Sequence, residues 1–277
     1  MIVPGSASQS LAAALGRTLS ESVAAVEYDW FEDGETLVCV PETDDRAVVV
    51  AATDSAEAHI ELLQLQDAAR QQAEEVITVL PYMGYARQDE AFEAGEPVSA
   101  RAVARAISTG TDRVLVVEPH EDGVTEFFDV PCESVSAASV LAEPLPELNE
   151  PLFLAPDSGA VGLAEAVRDA YGHGTTDYFE KRRLSDTEVE VTPSDAAAVG
   201  RDVVLVDDIV ATGSTMSAAI QQLESPARTF VTCVHPMLAG NARTKLETAG
   251  VEAIFGTDTL ERSVTATSVA PAVAEFL

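Results

Sequence analysis

The sequence predicts an α/β protein of two tandem domains, each a mainly parallel sheet flanked by helices. Three observations predict it. Short β-branched runs alternate with helix-periodic stretches along the 277 residues, the order that builds βαβ units with strands buried on both faces. One strand–helix–strand segment is echoed later in the chain. A proline-rich stretch separates the two halves.

In chain order, "AVVVAA" (Ala47 to Ala52), "EVITVLP" (Glu75 to Pro81), "RVLVVEP" (Arg113 to Pro119), "PLFLAP" (Pro151 to Pro156), "DVVLVDD" (Asp202 to Asp208) and "TFVTCVHP" (Thr229 to Pro236) read as buried parallel strands. Between them, "EAHIELLQLQDAARQQ" and "STMSAAIQQLE" carry apolar residues at helical spacing, as at Met216, Ile220 and Leu223. The echo joins residues 47–87 to residues 202–243. Each segment runs strand, polar turn, helix, strand, Pro and then Gly-x-Ala-Arg. Chance likeness between βαβ units is the competing account of it. "AEPLPELNEP" (Ala142 to Pro151), with three prolines, is the expected linker. The expected domains are therefore 1–149 and 150–277.

Composition narrows the function classes. A hydrophobic content of 47% supports a real core. No apolar run approaches the ~18 residues needed to span a bilayer. The start, "MIVPGSASQS", does not read as a signal peptide, so a cytoplasmic location is expected. Cys39, Cys132 and Cys233 make no metal spacing and are expected to be buried free thiols in a reducing compartment. There are 47 acidic residues against 16 basic ones, a net charge of −31, and only two lysines, Lys181 and Lys245. Such a surface repels polyanions and argues against nucleic-acid binding. Its self-repulsion is tolerable where molar salt shortens the Debye length to ~3 Å, which points to a very salty cytoplasm.

The chemistry concentrates in "VVLVDDIVATGSTM" (Val203 to Met216). A strand ends, a Thr-Gly-Ser-Thr turn follows and a helix begins. Gly213 permits close backbone approach, and the hydroxyls of Thr212, Ser214 and Thr215 with the helix-start N–H groups can cradle a phosphate. No Gly-Lys-Ser/Thr is present, so this is not a Walker loop. Asp207 and Asp208 stand at the strand's carboxyl end, where α/β folds bind ligands. Carboxylates repel a phosphate but suit vicinal hydroxyls, or a Mg²⁺ held near them. An aspartate capping a helix explains one carboxylate, not two followed by this turn. A ligand with a phosphate at one end and a diol at the other, such as ribose 5-phosphate, satisfies both halves.

Strand-Asp-Asp-x-x-x-Thr-Gly-x-Thr resembles the 5-phosphoribosyl-diphosphate motif of the phosphoribosyltransferase fold. "FEDGE" (Phe31 to Glu35), "PYMGYARQDE" (Pro81 to Glu90), "EPHEDGVTEFFDVP" (Glu118 to Pro131), "APDSGA" (Ala155 to Ala160), "EKRRLS" (Glu180 to Ser185) and "HPMLAGNA" (His235 to Ala242) resemble, in its order, the ribose-phosphate diphosphokinase family. The forms "EPHE", "EKRRLS" and "FEAGE" are most similar to its archaeal members, and the charge balance to a haloarchaeal one. The resemblance implies two tandem phosphoribosyltransferase-like domains. It also implies transfer of the diphosphoryl group of ATP to the 1-hydroxyl of ribose 5-phosphate with Mg²⁺, and a homo-oligomer with ATP sites near subunit interfaces.

The roles it implies follow residue by residue. Lys181 and Arg183, in "EKRR" ahead of a polar flap, match the catalytic cations that close on the transferring group; Arg183 also reaches ribose 5-phosphate. His120 and Asp157 match metal residues; an N-cap role is a second reading of Asp157. Arg87 and Gln88 offer a cation and an amide to ATP. Phe31, Asp33, Gly34 and Glu35 match the segment that meets the adenine end from a neighbouring subunit. Asp207, Asp208, Ala211, Thr212, Gly213, Ser214 and Thr215 form the ribose 5-phosphate loop. Ala211 stands where many relatives carry an aspartate, which removes one sugar contact, and Glu118-Pro119 stands where bacterial forms have Asp-Leu. His59, His173 and His235 read as surface or packing residues. A nucleobase phosphoribosyltransferase and a non-catalytic regulatory homologue are the alternatives. The first leaves "YARQD" and "FEDGE" unexplained, and the second should lack Lys181, Arg183, His120 or Asp157.

Overall fold

The computed structural model describes the backbone of residues 1–183, 189–193 and 198–277, and side chains outside 180–197. The chain divides into two compact units, Met1–Ser136 with Asp258–Glu261 and Ser268–Leu277, and Ala137–Thr257 with Arg262–Thr267.

The first unit contains β1 (Ile2–Pro4), α1 (Gln9–Leu19), β2 (Glu27–Trp30), β3 (Thr36–Cys39), β4 (Arg46–Val50), α2 (Ala56–Arg70), β5 (Glu75–Leu80), α3 (Ser99–Ser108), β6 (Arg113–Val117) and β7 (Cys132–Val135). Five strands form a sheet in the order β1-β4-β5-β6-β7, and every pairing in it is parallel. Val48, Val49 and Val50 are all fully buried, as a run covered on both faces must be. β2 and β3 form a separate antiparallel hairpin. Helix α2 starts where Ser55 Oγ accepts from the Ala58 N–H at 3.1 Å. It buries Leu62, Leu65, Gln66 and Ala69. Gln66 is tolerated inside because its amide donates to Thr78 Oγ1 at 2.8 Å and to the Ile107 carbonyl at 3.2 Å. The C-terminal helix Ala270–Ala274 packs on α1.

The second unit contains α4 (Ala138–Leu141), β8 (Leu152–Ala155), α5 (Val161–Tyr171), β9 (Thr175–Arg183), β10 (Val189–Pro193), β11 (Asp202–Ile209), α6 (Ser214–Gln221), β12 (Arg228–His235), α7 (Ala242–Thr248), β13 (Ala253–Thr257) and β14 (Thr265–Thr267). Its sheet order is β10-β9-β8-β11-β12-β13-β14. Only the β9–β10 pair is antiparallel. Leu152, Leu154, Val203, Leu205, Val231 and Cys233 form the core of this sheet with Met216, Ile220 and Leu246 from the helices above it.

All six expected strands are present, and the echo is a structural one. In each copy the segment after the second strand bonds back to the turn after the first. The Thr53 N–H donates to the Tyr82 carbonyl at 2.9 Å, and the Leu238 N–H donates to that of Val210 at 2.9 Å. The expected linker, by contrast, is a packed part of the second unit. Leu145 and Leu148 are buried in it. The Leu148 N–H donates to Tyr171 Oη at 2.9 Å, and the Asn149 N–H to Asp202 Oδ2 at 2.7 Å. The division therefore falls at Ser136/Ala137 rather than 149/150, and the C-terminal residues return to the first unit. The thiols need a correction too. All three are free, but Cys39 is exposed, Cys132 half-buried and only Cys233 buried. Cys39 lies on the two-stranded hairpin, which has a solvent side.

Candidate functional site

In the second unit the site is built at the carboxyl end of β11. The strand's start is anchored by Asp202, which is nearly inaccessible and accepts from Arg228 Nε at 3.0 Å. The ion pair and the Asn149 N–H hold the Asp202 carboxyl below the usual range. At the other end stand Asp207 and Asp208, both partly buried. The Asp208 N–H donates to Asp207 Oδ1 at 3.1 Å, and the Ile209 N–H donates to Asp208 Oδ1 at 2.8 Å. The Asp207 carboxyl is raised well above the usual carboxylate range, first by burial, then by the charge of Asp208 and that of Asp157. Asp157 lies two residues past the neighbouring strand β8 and caps the 3-10 turn Ser158–Ala160, its Oδ1 accepting from the Gly159 N–H at 3.0 Å. The N-cap reading of Asp157 is thus met, and its carboxylate also adds charge beside Asp207.

The turn after β11 is shaped from behind by α7. Gly213 has φ +69°, and a Cβ on it would lie 3.2 Å from the Ala242 carbonyl oxygen and 3.3 Å from Leu246 Cγ. Only glycine meets both demands. The Ala239 N–H donates to the Ala211 carbonyl at 2.9 Å, so Ala211 serves the turn through its backbone. Gly213 is the N-cap of α6, and no side chain among the described residues caps that helix. Its leading N–H groups are therefore available to a ligand. Thr212, Ser214 and Thr215 are exposed, and Thr212 Oγ1 donates to Ser214 Oγ at 3.1 Å.

One residue here was not singled out from the sequence. Lys245, on α7, donates from Nζ to Ser214 Oγ at 2.8 Å and to the Thr212 carbonyl at 3.1 Å. The available signal was its rarity, since a chain with two lysines has few places to spend one.

In the first unit, the loops after the paired strands β5 and β6 leave the same edge of the sheet. Arg87 and Gln88 are exposed in the loop after β5. That loop passes tight against the turn after β4: the Gly84 N–H donates to Thr53 Oγ1 at 3.0 Å, and a Cβ on Gly84 would lie 2.0 Å from the Thr53 carbonyl oxygen. Tyr85 turns the chain with φ +64° and stacks near His59 at 5.5 Å. Burial pushes His59 below its usual pKa, which fits its packing role. After β6, Glu118 takes φ +39° and its N–H donates to the Val135 carbonyl at 2.9 Å, which swings the chain to the exposed His120. Phe31, Asp33, Gly34 and Glu35 form the tip of the β2–β3 hairpin. There the Gly34 N–H donates to the Phe31 carbonyl at 2.9 Å, and the Glu35 N–H to Asp33 Oδ1 at 3.2 Å. Trp30 is 58% and Phe31 54% exposed, a large apolar surface for a hairpin tip.

Lys181 and Arg183 lie at the end of β9, in register with Val191 and Val189 of β10. A hairpin therefore carries them. The rest of the expected flap, at 184–188 and 194–197, lies outside the described residues.

Among the described residues no three His, Cys, Asp or Glu side chains converge as a metal cage. His120 and Asp157 belong to different units. Asp157, Asp207 and Asp208 are nonetheless hard oxygen donors, two of them close enough to raise the pKa of the third. That set fits Mg²⁺, which keeps much of its water and is held by one or two carboxylates together with substrate phosphates.

Residues 1–110 match the family model for the N-terminal domain of ribose phosphate pyrophosphokinase, and residues 137–265 match the phosphoribosyl transferase domain. The chain is 63% identical to the ribose-phosphate pyrophosphokinase of Halobacterium salinarum, with 100% of both chains covered. It is 44% identical to that of Methanopyrus kandleri, over 94% of each chain. The phosphoribosylpyrophosphate synthetase from Mycobacterium smegmatis superposes with a TM-score of 0.82 at 26% identity, covering 100% of this chain and 96% of that one.

Proposed function

The chain belongs to the ribose-phosphate pyrophosphokinase family, and from that premise we propose how its residues divide the reaction. The 1-hydroxyl oxygen of ribose 5-phosphate attacks the β-phosphorus of ATP. The bond from that phosphorus to the α-phosphate oxygen breaks, AMP leaves, the hydroxyl proton is released, and the product is 5-phosphoribosyl 1-diphosphate. The observation that carries the activity is the full-length 63% identity to the Halobacterium enzyme. The match of residues 1–110 to the N-terminal domain of the pyrophosphokinase disfavours a nucleobase phosphoribosyltransferase.

The 5-phosphate docks on Thr212, Gly213, Ser214 and Thr215 at the uncapped start of α6. Asp207 and Asp208 take the ribose hydroxyls as acceptors. The raised pKa of Asp207 supports this, since burial and the charge of Asp208 disfavour its carboxylate and hydroxyl donors would offset that cost. Arg87 and Gln88 hold the ATP phosphates. Phe31 stacks on adenine, with Asp33, Gly34 and Glu35 at the base edge, in an oligomer where the hairpin tip serves a neighbouring subunit. The exposure of Phe31 supports this arrangement. Lys181 and Arg183 close over the diphosphoryl group and neutralise the charge that builds on it; such preorganised cations are worth ~10²–10³-fold in rate. His120 would meet a Mg²⁺ beside the ATP phosphates, and Asp157 would hold a second Mg²⁺ on the ribose 5-phosphate side. When bound, Mg²⁺ neutralises polyphosphate charge and aligns the reacting oxygens. No described helix is long and apolar enough to cross a membrane; the proposed substrates, ATP and ribose 5-phosphate, support a cytoplasmic location.

The test is release of AMP from ATP by the pure protein with Mg²⁺ in molar KCl. AMP formation should depend on ribose 5-phosphate and yield a diphosphorylated sugar phosphate. AMP without that dependence, or none at all, overturns the reading.

A further inference from the structure

We propose that Lys245 is a positioning residue for the phosphate turn: its ammonium orients two of the groups that receive the anion. This rests on the reading that the turn after β11 takes the 5-phosphate.

The geometry works through two hydrogen bonds. Lys245 Nζ donates to the Thr212 carbonyl at 3.1 Å. The Thr212–Gly213 peptide bond is trans, so the Gly213 N–H points opposite to that carbonyl. Drawing the carbonyl toward α7 therefore turns the Gly213 N–H away from α7. Lys245 Nζ also donates to Ser214 Oγ at 2.8 Å, and Thr212 Oγ1 donates to the same oxygen at 3.1 Å. A serine hydroxyl has two lone pairs and one proton. With both lone pairs occupied, the Ser214 O–H is left as a donor, the role an anion requires. The ammonium adds a positive charge behind a turn that a dianion must approach, in a chain of net charge −31.

Lys245 borders a surface cavity of about 260 Å³ shared with Ser217, Gln221, Asn241, Thr244, Thr248 and Ala249, a mostly polar lining. A methionine at this position keeps the length of the stem while removing its charge.

The experiment is steady-state kinetics of Lys245→Met, which keeps the stem, and Lys245→Arg, which keeps the charge, beside Ser214→Ala. Lys245→Met should raise KM for ribose 5-phosphate by ~10-fold, the scale of a charge-assisted hydrogen bond. Its kcat and KM for ATP should stay within about two-fold, and Lys245→Arg should recover much of the loss. The Lys245→Met/Ser214→Ala double variant should lose less than the product of the single losses, because both act on one hydroxyl. If Ser214→Ala raises KM for ribose 5-phosphate but Lys245→Met does not, the inference is wrong and the docking site stands. If neither does, the docking reading fails as well. If Lys245→Met lowers kcat and weakens both substrates in step with a lower Tm, the lysine is only structural and the inference is overturned.

Discussion

Asp207 and Asp208 end β11 side by side, and the second carboxylate, with burial, holds the first above the ordinary carboxylate range. Ionising Asp207 therefore costs the folded state more than the unfolded one. A group whose folded pKa is raised contributes stability that is complete below its unfolded pKa and is lost as pH rises through its folded value. Asp207→Asn removes that loss. At neutral pH the variant should be more stable by about 1–2 kcal/mol, a Tm rise of roughly 2–6 °C, while KM for ribose 5-phosphate rises by ~10-fold or more. The Tm advantage should widen as pH is raised from about 5 to 9. An equal or lower Tm across that range would mean the pair is not strained.

Asp202 has the opposite sign. Arg228 lowers its pKa, so its contribution is present above the unfolded pKa and is lost as pH falls through the folded one. Arg228→Met should be less stable at pH 7, because it strands a carboxylate that is 2% exposed. The gap to the parent should close below about pH 4. Thermal melts across the acid range check this, and a gap that stays constant would remove the ion pair from the explanation.

These two aspartates also show what the sequence could reveal. The run "DVVLVDD" announces a buried strand because that information is local, and the two terminal carboxylates with the TGST turn are an equally local signal for the proposed ligand. Rarity marks Lys245 in the sequence but not its role, because its partners lie 31 and 33 residues away and meet it only once α7 folds behind Gly213. The prolines between Ala142 and Pro151 suggested a linker, and nothing local says that Leu145 and Leu148 are buried. Where the C-terminal residues return to the first unit, Asp258 accepts from the Val269 N–H at 2.9 Å, a contact that carries no periodic signal. β1 and β14 have three residues each, too few for periodicity to register.

Two glycines should separate the two substrates. A Cβ at Gly84 meets the Thr53 carbonyl oxygen at 2.0 Å, so Gly84→Ala must displace the loop that carries Arg87 and Gln88. It should raise KM for ATP and cost about 1–3 kcal/mol of stability. Gly213→Ala imposes a side chain at φ +69° beside α7, for about 1–2 kcal/mol, and should raise KM for ribose 5-phosphate. The same substrate affected by both variants would contradict the division of labour.

Lys181 and Arg183 occupy the end of β9 on an antiparallel hairpin. If they meet the diphosphoryl group only as it transfers, their loss appears in kcat and not in binding. Lys181→Ala should lower kcat by ~10²–10³-fold while both KM values stay within about three-fold. Full activity in Lys181→Ala would remove the hairpin from the chemistry.

The final prediction concerns salt. Surface ion pairs such as Arg70–Asp112 and Arg243–Glu247 are weakened by added ions, which argues for destabilisation, but each contributes less than about 1 kcal/mol. Against them stand 47 acidic residues and 16 basic ones, so most acidic side chains have no basic residue left to pair with. At 0.1 M salt the Debye length is ~10 Å, long enough for neighbouring carboxylates to repel; at 1 M it is ~3 Å, shorter than their spacing on a surface. Repulsion should therefore dominate, and Tm should rise by roughly 10 °C or more between 0.1 M and 3 M KCl. A non-ionic osmolyte strengthens burial without screening charge, and at matched osmolality it should give only a minor part of that rise. A Tm that is flat in KCl, or rises equally in osmolyte, would mean that the acidic surface is not what salt stabilises.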